Sequence, residues 1–178
     1  MTPQIAVLMA DYNRWMNGQL YDAAATLAPE ELARERGAFF GSLLGTLNHL
    51  VVADTIWLQR FARHQGGFAA LAPLASVPTP TSLRQPMACE LGALRMQRER
   101  LDEMIVAWAA ELTPERLSGD FTYTSTAGVA SRRNFAALVQ HFFNHQTHHR
   151  GQATTLLSQA GVDVGVTDLL ARVPNEGA

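Results

Sequence analysis

The chain has one cysteine, Cys89, in 178 residues. An internal disulfide is therefore excluded, and the chain suits a reducing compartment. With no CxxC partner, Cys89 reads as a small packing residue. No basic run exceeds two residues, Arg132-Arg133 being the clearest pair. The net charge is -2, from 14 basic and 16 acidic residues. Phosphate binding needs a clustered positive face, so nucleic acid is excluded as the main partner. No apolar run reaches membrane-spanning length, which excludes a helical anchor. Asp11, Asn13 and Arg14 interrupt the apolar start, so no secretory leader is read and a cytoplasmic location is expected. Catalytic signatures are also missing. No glutamate lies between His145 and His149, so HExxH fails, and Gly-x-Ser-x-Gly does not occur. The glycine pattern Gly41-Ser42-Leu43-Leu44-Gly45 lacks the strand–turn–helix context of a phosphate loop.

What remains is ordinary for a folded chain: 47% of residues are hydrophobic, and one domain over 1–178 is expected. Apolar residues recur at three and four in four segments. The first, about Thr2–Leu27, carries Ile5, Leu8, Tyr12, Trp15, Met16 and Leu20. The second starts after Ser42, a plausible N-cap, and carries Leu43, Leu47, Leu50, Val51, Ile56, Trp57 and Phe61. The third runs over about Met87–Leu112 with Leu91, Leu94, Leu101, Ile105 and Trp108 inward. Its Arg95, Arg98, Glu99, Arg100 and Asp102 read as a solvated charged face. The fourth spans about Arg133–Ala160, with Gly161 in the C-terminal cap position. Phe121–Thr124 and Val129–Arg132 suggest one small hairpin, and Val162, Val164, Leu169 and Leu170 a packed tail. The Pro-rich connection from Leu71 to Pro86 is the longest. These elements predict an all-α four-helix bundle with a long crossover between the second and third helices.

Four of the six histidines fall in His141-Phe142-Phe143-Asn144-His145-Gln146-Thr147-His148-His149. With His141 at zero on a helical wheel, the apolar sector centres near ~100°, His149 falls near ~80° and His145 near ~40°. His148, near ~340°, points to solvent, and His141 sits at the edge as a supporting or alternative ligand. His145 and His149 are one turn apart and can chelate one ion. The residues alone leave two readings: buried imidazoles satisfied by hydrogen bonds, or metal ligands. His49, among Leu43, Val52, Ala53 and Ile56, offers a third nitrogen from a second helix. Three protein ligands and an open position would make a catalytic rather than a closed structural site. Asn48, Asn144 and Gln152 could orient ligand imidazoles. Asp54 leaves a supporting, capping or surface role open, and His64 is expected to be exposed. Tyr12, Trp15 and Trp57 read as core packing.

Tyr12-Asn13-Arg14-Trp15, Gly45-Thr46-Leu47-Asn48-His49-Leu50 with Asp54 and Trp57, and Asn144 through Gln152 together resemble the DinB-like (YfiT-like) metal-binding four-helix proteins. These are distinct from the DNA polymerase of that name. The resemblance covers nearly the whole chain. It implies a crossover bundle, a homodimer, and a divalent ion held by His49, His145 and His149, with zinc or nickel ahead of iron or manganese. It also implies a transferase joining a low-molecular-weight thiol to a small electrophilic substrate, or an isomerase that uses such a thiol. Competing expectations are a metal-dependent hydrolase, a non-catalytic metal- or small-molecule-binding stress protein, and a structural dimer with core histidines.

Overall fold

A computed structural model describes residues 1–177. Four long helices dominate it: α1 (Pro3–Ala24), α3 (Leu43–Phe61), α4 (Leu91–Ala110) and α6 (Phe135–Gln159), with short α2 (Pro29–Ala33) and α5 (Pro114–Leu117) between them. The expected caps form: Ser42 accepts a backbone N–H of the first turn of α3, and Gly161 closes α6 at φ 79°. Thr2, Thr113 and Asn134 cap α1, α5 and α6 in the same way.

The helix ends differ from expectation for local reasons. α1 stops at Ala24, because Ala28 is held extended before Pro29 and the chain turns there. α4 begins at Leu91 rather than Met87, since Asn48 Oδ1 accepts the backbone N–H groups of Met87 and Ala88 and holds that stretch out of the helix. α6 begins at Phe135 because the hairpin is longer than expected. Its strands β1 (Asp120–Thr124) and β2 (Ala130–Asn134) pair antiparallel, from Asp120↔Asn134 to Thr124↔Ala130.

Side-chain pairs give the helix directions. His49 meets His145 while Trp57 meets His141, so α3 and α6 are antiparallel. Asp54 meets Arg98 and Phe61 meets Trp108, so α3 and α4 run parallel. Asn17 meets Asp102 and Asp22 meets Arg95, so α1 and α4 are antiparallel. The order is up-down-down-up, and the parallel pair requires the crossover between α3 and α4. That segment includes a 3-10 helix at Ala69–Ser76, with Leu71 and Leu74 buried. The tail runs along α1: Tyr12 Oη donates to Thr167 O at 2.6 Å, and Arg172 pairs with Asp11. Val162 and Val164 pack on the core, but Leu170 is 77% exposed, against the expected packing of the whole tail. Among the described residues no helix is long and apolar enough to cross a membrane.

The core is apolar at one end, around Phe61, Trp108, Phe135 and Phe142. At mid-height it is crossed by charge. Arg98 and Asp102, read from sequence as surface, are 1% and 3% exposed. Arg98 Nη1 donates to Asp54 Oδ2 at 2.5 Å, and its Nη2 lies 3.1 Å from Asp102 Oδ1. Asp102 also accepts from Asn13 and Asn17 at 2.9 Å, Asp54 from Gln146 at 2.8 Å, and Asn13 from Arg150. Burial, with Asp54 adding to it, drives the Asp102 carboxyl up to about 6 against Arg98 and Asn17, and burial lowers Arg150 to about 10. Two arginines, Arg98 and Arg150, thus share the network with two carboxyl groups, Asp54 and Asp102. Removing one member leaves an uncompensated buried charge. Arg98→Met is therefore expected to lower stability by about 3–5 kcal/mol in urea unfolding. Arg95→Met, which removes exposed pairs to Asp22 and Glu99, is expected to cost under about 1 kcal/mol.

Candidate metal centre

α3 and α6 cross beside the crossover, and three imidazoles meet there. His145 Nε2 lies 3.3 Å from His49 Nε2 and 3.1 Å from His149 Nε2. Two unprotonated imidazole nitrogens repel at that distance unless an acid hydrogen or a cation sits between them. Ligand nitrogens on a four-coordinate ion with metal–nitrogen bonds of about 2.0–2.1 Å stand about 3.3 Å apart, so the spacing fits a shared ion. These three form a group able to hold a metal among the described residues.

The other ring nitrogens are held so that two Nε2 lone pairs stay free. His49 Nδ1 is 2.9 Å from Leu83 O, a carbonyl that can only accept, so Nδ1 carries the proton. His149 Nδ1 is 2.7 Å from Gln152 Oε1, which likewise accepts. Burial lowers His49 to about 4 and His145 to about 3, neighbouring imidazoles adding to the effect. His149 is lowered by burial and partly restored by Gln152. All three are neutral at pH 7, the form that ligates.

The ring of Phe40 stacks on His49 at 3.8 Å and meets His149 edge-on at 5.5 Å, giving the cluster an apolar wall. Its position depends on Gly45: a Cβ there would stand 2.2 Å from Phe40 O. The Gly41–Gly45 pattern is thus a close backbone approach that seats Phe40. Arg84, from the crossover, donates to Phe39 O and lies over both Phe39 and Phe40.

Other expectations fare unevenly. His148 is exposed, as read, and touches Gln152. His141 stays outside the convergent set, its ring 5.9 Å from His145 and 5.3 Å from Trp57. His64 is not simply exposed; it is half-buried and packs on Phe135 at 4.5 Å. Asn48 holds the crossover backbone rather than an imidazole, and Asn144 is exposed; of the three proposed orienting residues only Gln152 touches a ligand candidate. Asp54 is buried in the charge network, not at the surface. Cys89 is exposed, not a packing residue. Phe40, Leu83 and the buried charges were missed.

The DinB family model matches residues 1–176. This chain belongs to the DinB family. It is 26% identical over 164 residues to Protein DinB of Bacillus subtilis (strain 168), covering 92% of this chain and 90% of that protein. No solved structure matches. The resemblance drawn from the histidine segments is thus shown at the level of family, and the all-α fold with it.

If the three nitrogens share an ion, His49→Ala, His145→Ala and His149→Ala each abolish stoichiometric metal on protein purified without a tag or chelator. His148→Ala and His64→Ala keep about one equivalent. Gln152→Ala keeps the site but weakens it by about 10–100-fold, read by competition with a chromophoric chelator.

Proposed function

We propose that this chain holds a divalent metal ion, zinc or nickel before iron or manganese, on His49, His145 and His149, and uses it to activate a low-molecular-weight thiol for attack on a small electrophile. The observation that carries the reading is the convergence of three Nε2 atoms, two of whose rings, His49 and His149, are oriented through Nδ1 by Leu83 and Gln152. An all-imidazole set suits borderline ions better than the oxygen-seeking ones. Three ligands leave a position for an exogenous group. An ion held by His49, His145 and His149 would lower the pKa of a thiol at its open position and so supply the thiolate nucleophile.

Transfer is favoured over hydrolysis by the donor set. Among the described residues no carboxylate joins the histidine cluster, and the nearest network acid, Asp54, is engaged by Arg98 and Gln146. A metal-bound thiol needs no general base, whereas attack by water usually recruits one. The protein's part is then to orient the imidazoles, keep them neutral by burial, and limit water on the Phe40 side. The same reading takes residues 1–178 as one domain working as a cytoplasmic homodimer.

The test is turnover of a fluorogenic electrophile such as monochlorobimane against a panel of small thiols, beside p-nitrophenyl acetate without thiol. Thiol-dependent turnover lost in His149→Ala supports the proposal. Ester cleavage without thiol points to a hydrolase, and bound metal with neither activity points to a non-catalytic binding protein; either outcome overturns it.

A further inference from the structure

A cleft of about 330 Å³ opens between α3, the crossover and the hairpin. Its lining includes Ile56, Gln59, Arg60, Arg63, Thr81 and Tyr123. Arg60 is half-buried, its guanidinium 4.7 Å from the Trp57 ring centre and 5.2 Å from that of Tyr123. Eight of the 14 basic residues, all arginines, lie within ion-pair distance of a carboxylate. Among the described residues Arg60 and Arg63 have no such partner. Burial without a counter-ion disfavours the Arg60 cation, yet an arginine stays charged. Resting on aromatic rings, the guanidinium keeps its N–H edge for a planar acceptor. Gln59 Nε2 donates to Val77 O at 2.7 Å and ties the crossover to this wall of the cleft.

The cleft adjoins the histidine cluster. Trp57 touches Arg60 on one side and His141 on the other, and His141 neighbours His145. Thr81 lines the cleft two residues before Leu83, whose carbonyl holds His49. Ile56, on the near wall of the cleft, follows His49 by seven residues, about 10 Å along the helix, and Arg60 follows it by eleven, about 16 Å. At about 3.3–3.6 Å per extended residue, these distances span about three to five peptide-like units.

We propose that this cleft is a carboxylate-binding subsite, in which Arg60 and Arg63 receive the acid end of a short peptide-like molecule whose other end reaches the histidine cluster. The carboxylate site stands on the unpaired arginines; the reach to the cluster rests on the proposed function.

The test is an NMR titration of the Trp57 indole N–H, assigned with Trp57→Phe, using N-acetyl-triglycine and its C-terminal amide. The acid is expected to shift Trp57 saturably and the amide to bind at least about tenfold more weakly. Arg63→Gln, at an exposed position, and Arg60→Gln each weaken the acid about tenfold or more and remove its advantage over the amide. His149→Ala, which cannot hold the ion, still binds the acid. Equal binding of acid and amide, indifference to both arginine variants, or loss of acid binding in His149→Ala overturns the subsite. A second arm compares N-acetyl-cysteinyl-glycyl-glycine with N-acetyl-triglycine on zinc-loaded protein. A gain from the thiol that vanishes in His149→Ala supports the reach to the cluster. No gain, with the acid preference intact, overturns that reach and leaves the carboxylate site standing.

Discussion

The structure depends on the salt bridge between Asp54 and Arg98 and the polar chain it anchors. Through Asp102, Asn13, Asn17, Gln146 and Arg150 the chain touches all four long helices. Apolar packing tolerates small slides and rotations; hydrogen bonds at 2.5–2.9 Å do not. Each charge has been taken out of water, so any register that unpairs one is disfavoured. The network therefore contributes more to a unique arrangement than to net stability.

That constraint reaches the histidines directly. Gln146 and Arg150 each follow one of the paired histidines by a single residue, about 100° round α6. Pinning them to Asp54 and Asn13 sets the rotation of α6, and that rotation turns His145 and His149 toward His49. Burial keeps the imidazoles neutral, Leu83 and Gln152 choose the tautomers, and Gly45 lets Phe40 lie against them. Held by contacts of their own, the His49 and His149 rings have little freedom to lose on binding.

Much of this was legible in the chain. Helix periodicity and the N-cap at Ser42 located the elements, and the wheel separated His145 and His149 from His148. His49 could be named only in combination with the His145 and His149 pair and with the family's segment around it, since a lone histidine among Leu, Val and Ile reads as a core residue. The buried charges were misread through composition: a segment with five charged residues suggests surface. Spacing carried the opposite signal. Arg98 lies four residues after Leu94 and three before Leu101, and Asp54 three after Val51 and four before Leu58, both on the inward stripe. Phe40, Leu83 and the Arg60 cleft depend on where loops land against helices, which no periodicity encodes. Asn48 was misassigned for the same reason, since its partners lie in the crossover.

The central claim is that three imidazoles share one ion through Nε2. X-ray absorption at the metal edge of the protein as purified tests it most directly. The account predicts three imidazole nitrogens at about 2.0–2.1 Å plus one further light-atom or sulfur ligand for zinc. A shell of one or two imidazoles, or a spectrum unchanged when His49 is replaced by alanine, would contradict it.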